Sequence, residues 1–193
     1  MTRTFIALEL NEALQRHLSG HIRSMARELP SLRWVNPTEI HLTLAFLGEL
    51  SAEQLALAMQ ATEQAARGIA PFDYRLTHLG SFGSPRSILW VGIDEPSGRL
   101  QQLHHLLNSE LKQRGFALDT RPFSPHLTLS RIKKPLKPEE QVILQQFLDG
   151  KRGSISSPPY HVQHLSVMKS DLSSAGARYT CLRNYALLHN QSS

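Results

Sequence analysis

The 193-residue sequence holds a single cysteine, Cys181. A lone thiol excludes an intrachain disulfide framework and any zinc or iron–sulfur site built from several cysteines. No apolar run approaches the roughly 20 residues that cross a bilayer as a helix. The opening stretch, MTRTFIALELNEALQRHL, lacks the long apolar segment and small-residue cleavage site of a secretory leader. No glycine-rich fingerprint for a dinucleotide or a nucleoside triphosphate is found either. These absences lead to the expectation of a soluble, cytoplasmic chain without such cofactors. A hydrophobic content of 40% argues against general disorder.

Histidine, by contrast, is abundant, with ten copies. It is the side chain whose ordinary pKa lies nearest neutral pH. The net charge of +5 is uneven: residues 1–96 carry 8 basic and 10 acidic side chains, residues 97–193 carry 13 and 6. A basic half can concentrate a polyanion near a site, and it can equally be a solvated surface.

Most histidines have plain explanations. His17 and His21 fall on a helix with i,i+4 spacing, but no intervening Glu or further ligand supports a metal there. His104 and His105 belong to another helix, His161 and His164 to a late strand, and His189 to the terminus. His78 precedes LGSFG without a local motif. That leaves His41 and His126.

Periodicity places strands at residues 4–10, at LRWV, at IHLTLAFLG, and at FDYRLTHLGSFG and SILWVGID joined by SFGSPR. RPFSPHLTLSRI, YHVQHLSVMKS and YTCLRNYALLH are the later strands, the last two separated by a Ser/Gly-rich turn. Helices are expected over 12–29 behind Asn11, over 52–68 behind a Ser51/Gln54 capping box, and from Leu100 to before Gly115, and KPLKPEEQVILQQFLDG reads as a basic loop followed by a shorter helix. Alternating elements with terminal hairpin-like strands predict an α+β fold rather than a parallel doubly wound sheet. No internal boundary separates independent units, so residues 1–193 read as a single domain.

The tetrapeptide HLTL occurs twice, at 41–44 and 126–129, each time in a strand after a proline-containing approach. Strand parity sends His41 and Thr43 to one face and Leu42 and Leu44 to the other, and it repeats this for His126, Thr128, Leu127 and Leu129. If two lobes face each other, their cleft receives two imidazoles and two hydroxyls. One neutral histidine can take a proton from water attacking phosphorus while a protonated one gives a proton to the departing oxygen. Threonine hydroxyls can donate to the non-bridging oxygens. Such a scheme needs no metal.

These residues resemble the bacterial RNA 2′,3′-cyclic phosphodiesterases, also described as RNA 2′–5′ ligases, of the 2H phosphoesterase superfamily. The resemblance extends to RTFIAL, LRWVNPTEIHLTLAFLGEL, LTHLGSFGSPRSILWVGI and SVMKSDLSSAGARYT. It implies a bilobal, pseudo-symmetric fold with antiparallel sheets lining a central cleft and helices outside. It also implies metal-independent opening of a terminal cyclic phosphate to a 2′-phosphate, with His41 as proton donor and His126 as proton acceptor. Ligation would use an RNA 5′-hydroxyl in place of water. The implied partners are RNA ends bearing a 2′,3′-cyclic phosphate; no membrane and no obligate protein partner are implied.

The resemblance adds Arg131 as a phosphate ligand beside Thr43 and Thr128. Parity from His126 would send Arg131 to the leucine face, so the strand must end or bulge near Ser130, or the arginine must reach around its edge. Lys133, Lys134 and Lys137 are candidate RNA backbone contacts, or a solvated loop. Phe82 and Phe123 are candidate base-stacking surfaces, whereas parity assigns Phe46 to the core. Trp34 and Trp90 read as packing residues and Cys181 as buried. Two alternatives remain: a related enzyme for small cyclic nucleotides or 2′–5′ oligonucleotides, and a non-catalytic RNA-binding module.

Overall fold

The computed structural model describes residues 1–83, 88–132, 134–173 and 176–188. Residues 84–87 of the turn expected at SFGSPR, residues 174–175 of the last turn, Lys133 and His189 lie outside them. The chain runs β1 (Thr2–Glu9), α1 (Glu12–Glu28), β2 (Arg33–Trp34), a 3₁₀ turn (Pro37–Glu39), β3 (His41–Leu50), α2 (Ala52–Arg67) and β4 (Phe72–Phe82). There follow β5 (Ile88–Asp94), α3 (Arg99–Gln113), β6 (His126–Arg131), α4 (Pro138–Leu148), β7 (Tyr160–Val162), β8 (His164–Ser173) and β9 (Gly176–Ala186).

Local chemistry starts the first two helices where the sequence places them. Asn11 Oδ1 accepts from Leu14 N at 2.9 Å. Ser51 Oγ accepts from Gln54 N, and Gln54 Oε1 accepts from Ser51 N, closing the capping box. Each such cap stabilises its helix by about 1 kcal/mol. One face of α1 buries Leu14, Leu18, Ile22 and Met25. On α3 the buried face is Leu100, Leu103, Leu107 and Leu111.

Every strand pairing is antiparallel, in two sheets ordered β3-β1-β8-β9 and β2-β6-β5-β4-β7. The series β3-β1-β8-β9 corresponds strand for strand to β6-β5-β4-β7, with β2 added along β6. The two HLTL strands, β3 and β6, meet across the cleft between the sheets. This is the pseudo-symmetric α+β arrangement expected. Leu42, Leu44, Leu127 and Leu129 are all buried in one apolar core that spans both sheets. Burial of each leucine contributes roughly 1.5–3 kcal/mol and clamps its strand. Helix α2 packs on the first sheet and α3 on α2, while α4 packs on β4.

The lobes are not the two halves of the sequence. The first sheet takes β8 and β9 from the chain's end, and the second takes β2, β4 and β5 from its first half. The basic second half therefore does not correspond to one lobe. YHVQHLSVMKS, expected as one strand, breaks at Gln163: β7 pairs with β4, while β8 crosses to pair with β1. The break is a sheet-to-sheet crossing, pinned by Leu187 N donating to Gln163 O at 2.8 Å.

One glycine has a packing reason. Gly80 pairs with Trp90, and a Cβ on it would lie 2.1 Å from the Trp90 indole. Trp90 in turn sits beside His126, their ring centroids 6.0 Å apart. Gly80→Ala is expected to cost about 1–3 kcal/mol by overpacking, read as a lower denaturant midpoint, with activity falling as His126 is displaced. An unchanged midpoint would show that the indole has room to move.

Candidate active site

The site is built on a repeated irregularity. Along β1 and β3, Ile6 faces Ala45 and Ala7 faces Thr43, so Leu44 is an extra, unpaired residue. Along β5 and β6, Leu89 faces Ser130 and Trp90 faces Thr128, so Leu129 is extra in the same way. Each HLTL thus carries a β-bulge at its fourth residue. A bulge resets the alternation of faces. Leu44 and Ala45 are both buried, as are Leu129 and Ser130, and the next residue in each strand turns to the cleft.

In β6 that next residue is Arg131, which settles the parity question in favour of the bulge. In β3 it is Phe46, and here the expectation is overturned. Phe46 is 52% exposed and lines the cleft with the Arg3 guanidinium over its ring at 4.9 Å. Counting by twos from Leu42 missed the inserted residue.

His41, Thr43, His126, Thr128 and Arg131 all line this one cleft of about 920 Å³. Both imidazoles are held alike. His41 Nδ1 meets Glu39 O at 2.9 Å, and His126 Nδ1 meets Ser124 O at 2.7 Å. A carbonyl only accepts, so Nδ1 carries the hydrogen in both rings. Nε2 is left as the nitrogen that exchanges a proton.

The surroundings of the two rings differ. His41 stacks on Phe5 at 4.6 Å and meets the edge of Tyr179 at 4.8 Å. This burial pulls its pKa below the ordinary value, while the Glu39 carbonyl and the Glu9 carboxylate push it back up. Tyr179 N donates to Glu39 Oε2 at 3.1 Å, so β9 steadies the turn that orients His41. His126 is half-buried, with Phe82 edge-on at 5.0 Å.

Other candidates fall elsewhere. Phe123 stacks on His104 at 3.9 Å and does not line the cleft. Trp34 lines it, and its indole donates to Leu29 O at 3.4 Å. Lys134 and Lys137 are exposed and outside the lining. Cys181 is exposed rather than buried, because β9 is the edge strand of its sheet. Partial loss of water around the sulfur and then the nearby Glu9 raise its pKa, and it borders a small pocket of about 90 Å³ behind His41. Arg3, Arg33, Glu9 and Tyr179 escaped the sequence reading, since their roles depend on partners far along the chain. Among the described residues, no three His, Cys, Asp or Glu side chains gather as a metal site, and no helix is long and apolar enough to cross a membrane.

Paired His-x-Thr strands facing one cleft, within two pseudo-symmetric antiparallel sheets, are the architecture of the 2H phosphoesterases. The family model described as the 2′-5′ RNA ligase superfamily matches residues 11–173, and the chain belongs to that family. It is 30% identical over 191 residues to the RNA 2′,3′-cyclic phosphodiesterase of Escherichia coli strain K12, covering 96% of each chain. Among solved structures, TT0787 of Thermus thermophilus superposes with a TM-score of 0.78 at 25% identity, covering 97% of this chain and 99% of that one. E. coli LigT complexed with 3′-AMP gives a TM-score of 0.73 at 26% identity, covering 97% and 99%.

Proposed function

We propose that this chain is a metal-independent cyclic phosphodiesterase that opens the 2′,3′-cyclic phosphate at an RNA end to a 2′-phosphate. It would do so as a single two-lobed domain in the cytoplasm. The observation that carries the reading is the matched pair of histidines. Each donates Nδ1–H to the carbonyl two residues upstream and keeps Nε2 for the cleft, with a threonine two residues on. The name of the E. coli relative supports the RNA cyclic phosphate as substrate, and the 3′-AMP held by LigT supports a ribonucleotide in the cleft.

In this mechanism neutral His126 accepts a proton from water through Nε2 as the water oxygen bonds to phosphorus. The bond from phosphorus to the 3′-oxygen breaks, and protonated His41 gives its Nε2 proton to that oxygen. Thr43, Thr128 and Arg131 hold the non-bridging oxygens as charge builds there. The cycle ends with His126 protonated and His41 neutral, and exchange with solvent restores both. An RNA 5′-hydroxyl in the place of water makes the same step a 2′–5′ ligation.

The reading predicts turnover of RNA ending in a 2′,3′-cyclic phosphate in the presence of a chelator, with the 2′-phosphate as the product. Formation of only the 3′-phosphate rejects the regiochemistry. Activity lost to the chelator and restored by a divalent ion rejects the metal-independent scheme. A panel including small cyclic nucleotides and 2′–5′ oligonucleotides separates the related enzymes.

The burial of His41 gives the acid role a pH signature. A donor must be protonated in the free enzyme, whose ionisations govern kcat/KM. Burial lowers the His41 pKa, so the limb of that profile governed by His41 lies at lower pH than an ordinary imidazole would give. Glu9→Gln removes a negative charge that favours the imidazolium, so the limb moves to still lower pH. A profile that Glu9→Gln leaves unmoved overturns this coupling between Glu9 and His41.

A further inference from the structure

The pairing of β2 with β6 sets Arg33 directly opposite Arg131. Opposed residues on antiparallel strands point to the same face with Cβ atoms roughly 4.5–5.5 Å apart, and like charges so placed repel. Both arginines are exposed and both line the cleft. Their backbones are fixed together: Ser130 Oγ donates to Arg33 O at 3.0 Å, and Val35 N donates to Leu129 O at 2.9 Å. Two arginines paired across neighbouring strands and lining one cleft bring more positive charge than one phosphate needs.

We propose that Arg33 binds a second phosphate, the one attached to the 5′-oxygen of the terminal ribose, while Arg131 holds the reacting one. The inference rests on the cyclic-phosphodiesterase reading and adds a basis for choosing an RNA chain over a cyclic mononucleoside. Arg131 follows the bulge on the strand that carries His126 and Thr128. Arg33 lies one strand farther out, where the next phosphate of a chain entering the cleft passes. A guanidinium fork suits phosphate oxygens in two-pronged contact, which lysine's single ammonium does not reproduce. Contacts of this kind set the register of a nucleic acid without reading its bases, so base identity should matter less than the presence of the phosphate.

The test compares cytidine 2′,3′-cyclic phosphate with the same molecule carrying a 5′-phosphate, which adds that group alone. In the intact protein the 5′-phosphorylated substrate should have the higher kcat/KM. Arg33→Ala should reduce this preference about tenfold or more, through KM, and Arg33→Lys should restore part of it. An unchanged preference in Arg33→Ala overturns the proposal. Affinity for the opened products, cytidine 2′-phosphate with and without the 5′-phosphate, is measured by titration beside turnover. Arg33-dependent preference in binding without turnover of either substrate upholds the subsite and rejects the phosphodiesterase reading. Turnover with the same loss for both substrates rejects the subsite and leaves that reading standing.

Discussion

Replacing either His41 or His126 with alanine is expected to lower kcat on RNA 2′,3′-cyclic phosphate by about 10²–10⁴-fold, the usual contribution of a positioned acid or base. Neither variant should lose its fold. His126 is half-buried at the cleft wall, and His41 packs on Phe5 and Tyr179 from the cleft side, whereas the apolar core is held by the leucines beside them. The double variant should be little worse than the poorer single one, because two groups acting in one proton relay are not additive. Steady-state rates, with circular dichroism to monitor folding, decide this. Full activity in both single variants would overturn the mechanism.

The next largest effect should come from Arg131. Removing a donor aimed at developing charge typically costs about 10²–10³ in rate, and Arg131→Ala is expected to fall in that range. Arg131→Lys should recover only part, since a point charge replaces a fork. The loss should show in kcat if Arg131 grips the phosphate more tightly as charge builds on its oxygens. A rise in KM alone would place it in ground-state binding instead. On these proposals, Arg131→Ala should slow every substrate, whereas Arg33→Ala should change the preference for a 5′-phosphate.

The histidine roles meet opposing forces at His41. An aromatic bed keeps water away and disfavours the charged ring, while Glu9 and the Glu39 carbonyl favour it. A phosphate anion arriving in the cleft adds negative charge on the open side of the ring and so raises its pKa in the complex. This makes protonation of His41 and substrate binding mutually reinforcing. Under the proposed roles, the same effect lets a buried imidazole act as the donor.

Much of this was legible in one dimension, because it depends on short-range periodicity. The two HLTL segments state their residue types and their alternation directly, and Asn11 and Ser51 mark where helices begin. What escaped was whatever a partner strand decides. A bulge is a two-against-one pairing, and the residue that makes it two, Leu44 or Leu129, looks like any other strand leucine. Phe46 was misplaced for that reason, and the face of Arg131 stayed open. Gln163 gives no local sign that the chain changes sheets there. Cys181 reads as buried until its strand is found at the edge of the sheet.

The sequence by itself determined that two imidazoles and two hydroxyls would be presented from two strands, since side-chain alternation along a strand is a local property. Only the tertiary structure decided that they share one cleft with Arg131, and that Arg33 stands opposite it. Which strands meet, and where one residue is inserted between them, follows from contacts between segments as distant as Phe5 and Tyr179, 174 positions apart. No local period carries that information.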